Sequence, residues 1–111
     1  MEALRVEGLQ HLGAEDFARL ARELTNARII DVRTKEEFDY GHIKGAELFD
    51  VMEPDWPDRI DALDRDTTYL IYCRSGSRSY QAGLYMEQLG FTSLVNLAQG
   101  ILSWNDELVT E

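Results

Sequence analysis

Short apolar runs of strand length alternate along this chain with segments whose apolar residues recur at helical spacing, and that alternation admits few folds. Leu4 to Leu9 has the character of a first strand, Arg28 to Val32 of a second, and Ala46 to Val51 of a third. Thr68 to Tyr72 is the most strand-like run, and Ser93 to Leu97 is a last one. Between the first two, Phe17, Leu20, Ala21 and Leu24 fall on one face of a helix predicted over Ala14 to Asn26. Thr34 and Glu37 have the spacing of a capping box, with Gly41 placed to supply a left-handed stop after Tyr40.

Trp56-Pro57 through Leu63 predicts a short helix with proline in its first turn. Ala82, Tyr85, Met86 and Leu89 predict another, ended by Gly90, while Ile101, Trp104 and Leu108 lie on one face of a closing helix. The whole reads as an α/β fold: a mostly parallel central sheet flanked by helices on both faces. At 111 residues, with no repeat, low-complexity segment or linker, a single domain over 1–111 is expected.

Chemistry concentrates at Cys73, the only cysteine, which follows the apolar run Tyr69-Leu70-Ile71-Tyr72 and opens Cys73-Arg74-Ser75-Gly76-Ser77-Arg78-Ser79. In open parallel sheets, sites form beyond the carboxyl ends of strands. A loop over residues 74–78 running into a helix near Ser79 brings successive backbone N–H groups and a positive helix end toward the sulfur. Gly76 allows the tight curve, Ser75 and Ser77 keep it narrow, and the thiol pKa is expected to fall. The alternative for a lone cysteine is a small, inert core residue. With one cysteine, an internal disulfide is impossible, and a reducing, cytoplasmic setting fits.

Charge sharpens the picture. The formal net charge of -10 argues against nucleic-acid or anionic-membrane binding. No apolar run is long enough to span a membrane, and no signal peptide is read at the start. Residues 67–86 contain no acid, where the chain's average would place about four, yet they carry Arg74 and Arg78. Exclusion of carboxylates from a buried strand and packed helix accounts for this, and so does a local positive pocket for a small anion.

The stretches Ile29-Ile30-Asp31-Val32-Arg33, Glu36-Glu37-Phe38, Gly41-His42-Ile43 and Gly45-Ala46 together resemble the first signature of rhodanese-like sulfurtransferases. Cys73 to Ser79 is similar to their active-site loop, and Asn96-Leu97, Gly100-Ile101 and Trp104 to their C-terminal signature. The chain departs from the pattern at Glu47-Leu48-Phe49-Asp50 and at Gln99, which replaces the first of a common glycine pair. The resemblance implies a single-domain rhodanese-like fold and a two-step transfer. Cys73 attacks the outer sulfur of a small anionic donor such as thiosulfate, a polysulfide or a low-molecular-weight persulfide. The resulting persulfide then yields its sulfur to a thiol, cyanide or a protein acceptor. With no second cysteine, that acceptor is external.

On this reading Cys73 is the nucleophile, and Arg74, Ser75, Gly76, Ser77 and Arg78 supply mainly backbone N–H groups. Arg74 and Arg78 either bind the donor's anionic part or hold the loop's shape. No cofactor and no metal site are expected, and the oligomeric state is not legible. A sulfur-carrier or partner-docking module in a relay uses the same residues. A cysteine phosphatase or arsenate reductase fits less well, since its loop has five residues between cysteine and arginine where this chain has four. Asp31 and Arg33 read as structural, His42 as part of a turn, Trp56 and Trp104 as packing, and His11 receives no role.

Overall fold

The computed structural model describes residues 6–111. Five strands, β1 (Gly8–Leu12), β2 (Arg28–Asp31), β3 (Ala46–Leu48), β4 (Tyr69–Tyr72) and β5 (Ser93–Leu97), form one sheet in the order β1-β5-β4-β2-β3. Every pairing is parallel. Parallel strands need crossovers, and four helices serve as them: α1 (Ala14–Glu23), α2 (Lys35–Tyr40), α3 (Trp56–Asp61) and α4 (Ser77–Gln88).

The central strands β4 and β5 are buried at every position, as a strand covered on both faces must be. Alternation of side chains sends Tyr69, Ile71 and Cys73 to one face and Leu70 and Tyr72 to the other. The first set packs with Trp56, Ile60, Ala82 and Met86 from α3 and α4, and the second with Phe17 and Leu20 from α1. The expected α/β architecture with helices on both faces is what the chain adopts.

Four local expectations need correction. The first strand is Gly8–Leu12 rather than Leu4 to Leu9, since Gly8 turns at φ 69° and donates to Thr92, setting the register with β5. Positions 4 and 5 lie outside the described residues. The capping box of α2 is present, but Gly41 leaves the helix in extended backbone, φ 170°, rather than left-handed. There His42, itself buried, pairs with Val109 in an isolated antiparallel bridge. Strand β3 stops at Leu48, after which Phe49 and Val51 bond to Asp31 and Val32 singly.

The closing helix is absent: only Ile101–Ser103 form a 3-10 turn. The amides of Ile101 and Leu102 donate to the carbonyls of Cys73 and Arg74, at 2.9 and 3.2 Å, which anchors this turn on the loop after β4. Trp104 then runs extended, edge-on to Phe17, and Val109 exchanges two 2.8 Å backbone bonds with His42. Those contacts pull residues 104–109 out of helical geometry. By contrast, Gly90 ends α4 in the left-handed region, at φ 100°, as its position predicts.

Candidate active site at the carboxyl end of β4

Cys73 follows the last residue of the central strand β4, and α4 begins only four residues later, at Ser77. The turn between them works because Gly76 sits at φ 99°. A Cβ there would stand 2.1 Å from the carbonyl oxygen of Ala98, so no other residue fits without displacing the backbone. Across the same seam, a Cβ on Gly100 would meet the carbonyl oxygen of Arg74 at 2.2 Å. This explains why Gln99 is tolerated. Of the two positions, only 100 faces the loop, while Gln99 is exposed.

The curve aims the start of α4 at the sulfur. The amide of Gly76 donates to Cys73 Sγ at 3.1 Å, and the hydroxyl of Ser79 approaches it at 3.4 Å. Burial pushes the thiol pKa up. Hydrogen bonds from the Ser79 hydroxyl and from the amides of Ser79, Gly76 and Ser75 outweigh it, and the net direction is down. Cys73 is only 1% exposed, so these donors rather than water hold the charge.

The two arginines have different surroundings. Arg74 is exposed, and no ion pair links it to another described residue. Arg78 donates through both terminal nitrogens to the two carboxylate oxygens of Glu37, at 2.8 and 3.0 Å. Hydrogen bonding to Arg78 draws the Glu37 carboxyl down to about 2, overcoming its partial burial. Ser75 and Ser77 are exposed on the outside of the turn.

Neighbouring strand ends brace the site. Asp31, at the end of β2, accepts from the Arg33 amide at 2.9 Å and pairs with its guanidinium, which also donates to the Gly41 carbonyl at 2.7 Å. The Ile43 amide donates to the Tyr72 hydroxyl at 3.1 Å. Asp31 and Arg33 thus act as framework, and Asp50, in the stretch that departs from the family pattern, caps its own turn by accepting from the Met52 amide. His42 bonds through Nδ1 to the Phe38 carbonyl and stacks on Phe38. Trp56 packs against Tyr85 and Trp104 against Phe17.

Three groups at the site were not singled out as such from the sequence: Ser79, Asn96 and Glu37. The Ser79 hydroxyl touches both Cys73 Sγ and Asn96 Oδ1, and Asn96 arrives from β5, 17 positions further along the chain. For Glu37 the capping spacing was visible, but not its reach to Arg78. Among the described residues, no group of three or more His, Cys, Asp or Glu is gathered as for a metal ion, and no helix is long and apolar enough to cross a membrane.

Comparison with known proteins shows the family and the fold. The model of the rhodanese-like domain matches residues 14–107. A sulfurtransferase of Allochromatium vinosum is 31% identical over 96 residues, covering 86% of this chain and 88% of its own. A thiosulfate sulfurtransferase of Pseudomonas aeruginosa is 33% identical over 91 residues, covering 82% and 80%. Among solved structures, a rhodanese-like domain protein from Staphylococcus aureus superposes with a TM-score of 0.78 at 29% identity, covering 92% of this chain and 98% of its own.

Proposed function

This chain belongs to the rhodanese-like domain family, and from that premise we propose that it transfers sulfane sulfur through a persulfide on Cys73. The observation that carries the reading is the placement of Cys73 Sγ against the Gly76 amide at the start of α4, in a loop with four residues between Cys73 and Arg78.

In the first half-reaction the Cys73 thiolate attacks the outer sulfur of a donor such as thiosulfate. A bond forms between Sγ and that sulfur, the donor's sulfur–sulfur bond breaks, and its electron pair leaves on sulfite. The persulfide's outer sulfur carries negative charge, and the amides of residues 75, 76 and 79 supply fixed donors for it. In the second, a thiol, cyanide or protein nucleophile attacks the outer sulfur and Cys73 departs as thiolate. Because Cys73 is the only cysteine, the sulfur cannot pass to a second one within the chain, and ping-pong kinetics follow.

Arg78 serves to hold the loop: its guanidinium is committed to Glu37. Arg74, exposed at the rim, is the better placed of the two to meet the anionic part of a donor. The test is to incubate the reduced protein with thiosulfate, and in parallel with glutathione persulfide, and weigh it intact. A gain of one sulfur atom, absent in Cys73→Ser, is expected. No gain from any sulfane donor, together with hydrolysis of a phosphoester, would overturn the reading.

A further inference from the structure

Behind the sulfur runs a hydrogen-bonded chain that reaches the surface. Ser79 is fully buried and Asn96 is 2% exposed, whereas His11, on the edge strand β1, is exposed. Parallel register sets His11 beside Asn96. Asn96 Nδ2 lies 3.1 Å from His11 Nδ1 and 3.4 Å from the Gly76 carbonyl, and Asn96 Oδ1 lies 2.5 Å from Ser79 Oγ. The groups facing the imidazole are Asn96 of β5 and the Tyr80 ring of α4, centred 4.8 Å away. Those facing the sulfur are Ser75, Gly76 and Ser79, with Arg78 acting on it at longer range.

A hydroxyl has one hydrogen, and that of Ser79 has two claimants, Cys73 Sγ and Asn96 Oδ1. When His11 Nδ1 accepts, it takes a hydrogen from Asn96 Nδ2. Oδ1 then faces Ser79 and draws its hydrogen away from the sulfur. When Nδ1 carries a proton, it needs the oxygen end of the amide. Asn96 turned over gives up its 3.4 Å bond to the Gly76 carbonyl and donates Nδ2–H to Ser79 Oγ, and the hydroxyl hydrogen passes to the sulfur. We propose that His11 is a positioning residue which, through Asn96, decides whether Ser79 donates to Cys73. The inference rests on the reading of Cys73 as the sulfur-carrying nucleophile.

The test measures the thiolate midpoint of the full chain from the pH dependence of iodoacetamide alkylation. His11→Lys offers only donors and His11→Glu, when ionised, only acceptors. Both also change charge, so the pair is repeated in a Ser79→Ala background, where only the charge effect persists. The midpoint is expected to be lower for His11→Lys than for His11→Glu, and that gap to be wider by about half a pH unit, roughly threefold in thiolate, when Ser79 is present. Equal gaps in both backgrounds overturn the proposal. Should Ser79→Ala fail to fold, nitrogen NMR of the unmodified protein decides. Neutral His11 is expected to show an Nδ1 hydrogen-bonded to the Asn96 side-chain amide, and an Nδ1 with the shift of a free imidazole overturns the proposal. Sulfur loading from thiosulfate, read by mass, tests the nucleophile separately, so loading with equal gaps removes the His11 role alone.

Discussion

A thiolate enclosed by protein loses its hydration, and at Cys73 the loss is made up by donors fixed before any substrate arrives. A substitution other than proline leaves the amides in place, but it can remove the Ser79 hydroxyl. In the His11→Lys background, where the hydroxyl hydrogen is turned to the sulfur, Ser79→Ala is expected to raise the alkylation midpoint of Cys73 by about half a pH unit, as loss of one hydrogen bond to a charged group implies. In the unaltered protein that midpoint should lie below the free thiol's value of about 8.5. At this scale the loop was legible because its parts are contiguous: Cys73, Gly76 and the helix start follow one another along the chain. Asn96 was not legible as a neighbour of the sulfur, because strand order and register, rather than local spacing, bring β5 beside β4.

Between elements, the Glu37–Arg78 pair fastens the first turn of α2 to the first turn of α4. Glu37 also accepts from the Thr34 amide in the capping box. Gln can keep that box while losing the charge, so Glu37→Gln isolates the ion pair. Its carboxyl lies near 2 in the folded chain against an ordinary 4.5. The stabilisation is therefore fully present above the ordinary value and lost as pH falls through the folded one. Allowing for partial exposure, Glu37→Gln should cost about 1–2 kcal/mol at neutral pH. In urea titrations the deficit should shrink between about pH 4.5 and 2, as the unaltered protein loses the same charge. A deficit independent of pH would assign the effect to packing. Helix spacing correctly located α1, α2 and α4, whose caps and apolar faces are local. It failed after Ile101, where the periodicity of Ile101, Trp104 and Leu108 competes with bonds to Cys73, Arg74 and His42 that no local pattern encodes.

Taken as a whole, the molecule has two apolar layers separated by one sheet, and Cys73 belongs to only one of them. Leu20, 4% exposed, packs on the opposite side, beneath α1. Leu20→Ala should cost about 2–4 kcal/mol of stability in chemical denaturation. It should nevertheless leave the alkylation midpoint of Cys73 unchanged, because the donors around the sulfur come from the loop and α4. The strand and helix alternation made this layering legible early, since a parallel sheet has to be covered twice.

Where Gly76 meets Ala98 and Gly100 meets Arg74, two stretches of main chain touch with nothing between them. Such a seam has no spare volume to absorb change. A substitution that reshapes residues 74–76 must be matched by one in 98–100, so the two stretches are constrained to vary as one inherited unit, although over twenty residues of sequence separate them.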